Sequence, residues 1–263
     1  MTIQTSETPM ECDGSKFSSS LQVKITSINK LAPSVKEFTL HPTQASRLPS
    51  FIAGSHVLVK VPLGGELKLK PYSLTSSPRN LHYYQIVVAM GKDSSLGGVS
   101  SFLHQYGRVG ATLDISYPAA GIQLAPYATK HVFLAGGTGV TPFLSHLALL
   151  AGTEIPYEVH YTYPAVRDAI FLDWLIRNVP VSNLFTYASR ETGRVDCNQV
   201  IARQPQGSNF YVSGPTSLVE TVIASAWSYG LPPERLHFER SLLINDSLKV
   251  YLEGRGEFST IIS

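Results

Sequence analysis

The spacing of apolar residues changes once along this chain, near Pro126. Before it, short runs alternate apolar and polar: 21–28 (LQVKITSI), 34–40 (SVKEFTL), 54–61 (GSHVLVKV), 83–90 (YYQIVVAM) and 111–118 (ATLDISYP). Each run is followed by Pro, Gly, Asn or Ser, so five or six short strands with tight connections are predicted, an antiparallel barrel or sandwich. One short helix, 99–106 (VSSFLHQY), interrupts them. After Pro126 the continuous apolar run 130–137 ends in glycines and leads into a helical pattern over 141–152. Strands over 157–164, 183–189, 209–215 and 235–240 then alternate with helices over 169–179 and 216–230. Alternating β and α units predict a doubly wound parallel sheet with helices on both faces. The predicted organisation is a polar mobile tail (1–20), an antiparallel β-barrel domain (21–127), an α/β domain (128–240) and a C-terminal extension (241–263).

Composition narrows the function classes. The chain has 263 residues, 43% of them hydrophobic, with a formal net charge of +2, and no Lys/Arg run suited to nucleic acid. No apolar stretch reaches the ~18–20 residues that span a bilayer. The start of the chain lacks the layout of a signal or transit peptide, so a cytoplasmic setting is expected. Two cysteines, Cys12 and Cys197, cannot supply a four-cysteine metal or iron–sulfur site. The histidines His131, His146, His160 and His237 lack metal-ligand spacing, and Asp114, Asp168 and Asp173 form no carboxylate pair.

Three segments carry candidate chemistry. Gly136-Gly137-Thr138-Gly139-Val140-Thr141-Pro142 joins a buried strand to a helix, where close backbone approach and free N–H groups suit a pyrophosphate. The geometry of a βα turn alone also accounts for those glycines. The run is not G-x-G-x-x-G, and no acidic residue follows at the expected distance, which disfavours an ordinary Rossmann dehydrogenase. Lys70-Pro71-Tyr72-Ser73-Leu74, at the end of a β run, offers a charge for phosphate, a ring for stacking and a hydroxyl for a ring nitrogen; a barrel strand with a core tyrosine reads equally well. Gly97-Gly98-Val99-Ser100-Ser101 opens the small helix and is either a second anion site or an ordinary cap.

In this order and on these two domains, the segments resemble the ferredoxin–NADP reductase superfamily, most closely the phthalate dioxygenase reductase branch of flavin oxidoreductases, over about residues 21–240. The resemblance implies that Lys70, Pro71, Tyr72, Ser73 and Leu74 bind flavin, and that Gly97, Gly98, Val99 and Ser100 hold its phosphate. It implies that Gly136, Gly137, Thr138, Gly139, Thr141 and Pro142 bind the nicotinamide cofactor, with Ser213-Gly214-Pro215 and Glu239 completing the site. Ser73, Ser213 and Glu239 are then the residues at the reacting atoms. Three positions depart from the family pattern: Lys70 stands for an arginine and loses its bidentate fork, Ser213 for a cysteine, and Ser241 for an aromatic residue. Lys92 and Arg108 are the candidates to compensate for Lys70.

The implied activity is hydride transfer from NAD(P)H to flavin, then single electrons to a ferredoxin or oxygenase component. FMN is expected, with FAD second, and no iron–sulfur cluster. Ser189, Arg190 and Arg194 lie where a ribose 2′-phosphate is read, so NADPH is expected with both arginines on the phosphate. Residues 247–263 look like the first strands of a plant-type ferredoxin domain, and a separate acceptor protein is the other reading. A flavin-binding sensor subunit without turnover is the alternative function.

Overall fold

The computed structural model describes residues 20–90 and 98–238. Residues 1–19 of the expected tail, the C-terminal extension with Ser241, and Lys92, Gly97 and Glu239 lie outside that range, while Ser20 already belongs to the first strand.

The first half is a six-stranded antiparallel sheet: β1 (Ser20–Ala32), β2 (Val35–Pro42), β3 (His56–Leu63), β4 (Glu66–Ser73), β5 (Tyr84–Ala89) and β6 (Thr112–Ser116) in the order β4-β3-β6-β1-β2-β5. An antiparallel bridge between Leu74 and Ile86 joins the two edges and closes a barrel. Period-two alternation fills it: Val23, Ile25, Phe38, Leu40, Val57, Val59, Ile86 and Ile115 are buried inside. Helix α1 (Val99–Tyr106) plugs one end through Val99 and Leu103.

The second half is a parallel sheet: β7 (His131–Gly136), β8 (Tyr157–Tyr163), β9 (Leu184–Ala188), β10 (Asn209–Ser213) and β11 (Leu236–Phe238) in the order β11-β10-β7-β8-β9. Every residue of β7 is buried, as its continuous apolar run requires. Phe133 and Ala135 face α2 (Thr141–Leu150) and α3 (Leu172–Asn178), in one apolar cluster. Val132 and Leu134 share the other cluster with α4 (Cys197–Ala202) and α5 (Thr216–Ser228). The fold is an antiparallel barrel followed by a doubly wound sheet whose strand order reverses between β7 and β10.

A polar cluster fixes β8 at the end remote from that reversal. Glu158 accepts hydrogen bonds from Lys130 (2.5 Å), Gln204 (2.9 Å) and Arg203 (3.1 Å), and lies 3.2 Å from His160 Nε2. Burial raises the Glu158 carboxyl, but hydrogen bonds from Lys130, Gln204 and His160 outweigh it and hold the group at about 2. Burial pushes the His160 ring down to about 4. The unfolded chain therefore takes up a proton on His160 below 6.5, and on Glu158 below 4.5, that the folded chain refuses. Stability is expected to fall steadily as pH drops from 6.5 toward 2. Glu158→Gln is expected to cost about 2 kcal/mol at pH 7, between exposed and buried ion pairs, and to flatten the loss below pH 4.5. Urea unfolding at pH 7, 5 and 4 checks both.

Candidate active site

The C-terminal ends of β7 and β10 lie at the point where strand order reverses, which is where open α/β sheets bind ligands. A cleft of about 790 Å³ opens there and runs across to the barrel. Its barrel wall is Lys70, Pro71, Tyr72, Ser73 and Ser100, together with Ser34, Val35, Val87 and Ala89. Its other wall is Gly136, Gly137, Thr138, Gly139, Thr141 and Pro142, then Ser213, Gly214 and Pro215. Thr162, Tyr163 and Pro164 after β8, Ser189 and Arg194 after β9, Val195 and Cys197, and Ser217, Leu218 and Thr221 of α5 complete it.

Close packing at the strand reversal explains two glycines. A Cβ on Gly139 would lie 2.2 Å from the Ser213 carbonyl oxygen, so the turn after β7 rests directly on the backbone of β10. Gly214, at φ +147°, would place its Cβ 2.8 Å from Gly136 Cα. Gly137 and Gly98 are different: a Cβ at either meets nothing within 4 Å.

On the barrel wall, Lys70 Nζ donates to Ser100 Oγ (2.8 Å), and the Tyr72 hydroxyl is 3.0 Å from the same oxygen. Burial lifts the Tyr72 phenol to about 12, so it stays protonated. Strand β4 and the first turn of α1 thus meet at Ser100. The N-termini of α1, α2 and α5 carry no side-chain cap, whereas α4 is capped by Asp196, which accepts from the Gln199 N–H. The first turns of α1 and α5 leave backbone N–H donors for an anion, whereas at α2 the Thr141 N–H already donates to the Thr138 oxygen and Pro142 has none. Among the described residues, the charged side chains lining the cleft are Lys70 and Arg194, and no carboxylate joins them. Open glycines, free N–H groups and cations fit phosphate-bearing ligands on both walls.

Sixteen of the sequence-selected residues therefore line one cleft. Four lie elsewhere. Leu74 is fully buried in the barrel core, where its N–H bonds Ser55. Val99 is core in α1, and Gly98 precedes it without reaching the cleft. Arg190 is exposed and does not line the cleft; its N–H bonds the Pro164 carbonyl. Gly97 and Glu239 lie outside the described residues. Arg108, offered as a substitute cation, is exposed and off the cleft. Sequence reasoning missed Tyr163, Pro164, Cys197 and Thr221. The position of Tyr163 and Pro164 at the end of β8 was the available signal.

Comparison with known proteins agrees with this geometry. Residues 22–123 match the family described as oxidoreductase FAD-binding domain, and 117–236 the family of the dimethylamine monooxygenase subunit DmmA-like N-terminal domain. The carnitine monooxygenase reductase subunit of Escherichia coli strain K12 is 36% identical over 83% of this chain and 68% of its own length. The heme-dependent oxidative N-demethylase beta subunit of Ectopseudomonas mendocina is 35% identical over 85% of this chain and 70% of its own. The chain thus spans about two thirds of the length of these relatives. Among solved structures, phthalate dioxygenase reductase superposes with a TM-score of 0.74 at 26% identity, covering 84% of this chain and 67% of that one. An antiparallel barrel, a doubly wound sheet with a glycine turn at its strand reversal, and similar proteins that include a monooxygenase reductase subunit and phthalate dioxygenase reductase lead to one conclusion: the chain belongs to the phthalate dioxygenase reductase-like family of flavin oxidoreductases.

Proposed function

We propose that this chain is the NADPH-oxidising reductase of an oxygenase system, carrying FMN on the barrel wall and passing electrons singly to an iron–sulfur or oxygenase partner. The observation that carries it is that one continuous cleft joins the Lys70–Ser73 wall to the Gly136–Pro142 and Ser213–Pro215 wall. A bound flavin supplies the two-electron to one-electron conversion. The chain's own residues bind and orient. Lys70, Ser100 and the first turn of α1 hold a terminal phosphate; Tyr72 packs against the ring system; Ser73 offers its hydroxyl to the ring edge. The turn at Gly137–Gly139 takes the pyrophosphate of the pyridine nucleotide, and Ser213 and Thr138 seat its nicotinamide. Arg194 and Ser189 take the 2′-phosphate. Glu239 is assigned to the nicotinamide end by family resemblance alone.

FMN is favoured over FAD on the family resemblance, supported by the Lys70–Ser100 pair at the start of α1, which suits a terminal phosphate. The partner is either an acceptor protein or a ferredoxin domain beyond residue 263, and the proposed setting is cytoplasmic. Among the described residues, no helix is long and apolar enough to cross a membrane.

The flavin-loaded chain is expected to reduce ferricyanide with NADPH, and heat-released flavin to carry no AMP half. A loaded chain that reduces no one-electron acceptor contradicts the reductase reading. Lys70→Ala is expected to weaken flavin binding by about 1.5–3 kcal/mol, the scale of a hydrogen bond to a charged group, and to reduce the salt dependence of binding. Fluorescence titration at two ionic strengths checks it.

A further inference from the structure

Two buried polar residues of helix α2, Ser145 and His146, are not used by the cleft. Ser145 is fully buried and His146 is 3% exposed. Both reach out of their own domain. Ser145 Oγ accepts the Gly54 N–H at 2.9 Å, and Gly54 belongs to the barrel half. His146 Nε2 lies 2.8 Å from the carbonyl oxygen of Ile122, in the segment connecting the two halves. A carbonyl only accepts, so Nε2 carries the proton and donates.

The site is tight as well as polar. A Cβ on Gly54 would lie 2.1 Å from the Ile122 oxygen and 2.4 Å from His146 Nε2, and Gly54 has φ +78°. The same connecting segment is tied to the barrel by the His56–Ala119 bridge and by Gln123 Nε2 donating to the Ala53 oxygen at 3.0 Å. It is tied to the sheet by the Ala125 N–H donating to the Tyr211 hydroxyl at 2.9 Å. Helix α2 begins at Thr141 and Pro142, which line the cleft one turn away. Whatever holds Ser145 and His146 therefore sets where that wall stands relative to Tyr72 and Ser73.

We propose that Ser145 and His146 are positioning residues that fix the spacing of the nucleotide turn from the flavin wall. This rests on the reductase reading above. Hydride transfer is steep in distance, with a 1 Å misplacement costing on the order of a hundredfold, whereas each ligand's affinity depends on its own wall.

The test uses the full chain, wild type against Ser145→Ala, His146→Leu and His146→Gln, the last retaining an amide donor. Flavin reduction at saturating NADPH is expected to slow about tenfold to a hundredfold in Ser145→Ala and His146→Leu. Flavin and NADPH dissociation constants should stay within about twofold, and His146→Gln should recover most of the rate. In the flavin-free chain, hydrogen exchange of both the Gly54 and Ala125 amides should accelerate in Ser145→Ala, since loosening the joint frees both. Acceleration at Gly54 alone, or an unchanged reduction rate, overturns the proposal. So does a loss of flavin affinity and melting temperature in step with the rate, unrescued by His146→Gln, which marks a purely structural role. A wild-type chain that NADPH does not reduce contradicts the reductase reading instead, and the two amides then decide the joint on their own.

Discussion

Gly139→Ala is expected to abolish pyridine-nucleotide binding and to destabilise the fold by about 3 kcal/mol, the upper range for overpacking. The added methyl would meet the Ser213 oxygen at 2.2 Å, the Ser213 carbonyl carbon at 2.3 Å and the Gly214 nitrogen at 2.4 Å. All three are backbone atoms of β10 and its turn, so no side chain can swing aside. The turn after β7 must lift off, carrying Thr138 and the start of α2 with it. Gly137→Ala is the informative contrast. Its methyl meets nothing within 4 Å, but φ is +53°, so a cost of about 1–2 kcal/mol is expected from the backbone alone. Urea midpoints and nucleotide titrations of the two variants separate steric lift-off from local strain. Wild-type stability and binding in Gly139→Ala would show that the turn is not seated on β10.

Arg194→Ala is expected to lower NADPH efficiency about tenfold to a hundredfold, with NADH nearly unchanged. A charge-assisted arginine–phosphate pair contributes about 1.5–3 kcal/mol, and Arg194 is the arginine after β9 that lines the cleft. Arg190→Ala is expected to stay within about threefold, because Arg190 is exposed and off the cleft. Steady-state kcat/KM with both nucleotides checks each. An equal loss for NADPH and NADH in Arg194→Ala would remove its role as a phosphate reader.

Both sheets were legible because their periods differ. Alternation in β1, β2, β3 and β5 and the unbroken apolar run of β7 each have a direct burial cause. Strand β4 was harder to read. Residues 66–71 are all exposed and Leu67 is 60% exposed, so this edge strand has no core-facing alternation to detect before Tyr72. Helix α4 escaped notice because only six residues form it, held by the Asp196 cap. Arg190 and Arg194 look equivalent in sequence, four residues apart in a polar loop. They diverge because the Arg190 N–H is turned back onto the Pro164 carbonyl while the chain continues to Arg194 beside Val195. The joint at Ser145 and His146 had no local signal at all, since its partners Gly54 and Ile122 are 91 and 24 residues away.

The most direct measurement is anaerobic mixing of the flavin-loaded chain with NADPH in a stopped-flow spectrometer. Bleaching of the flavin band in one saturable phase, faster at low concentration with NADPH than with NADH, is the predicted result. A flavin that binds stoichiometrically yet keeps its absorbance with either nucleotide would contradict the account, and would leave the chain a flavin-binding subunit without turnover.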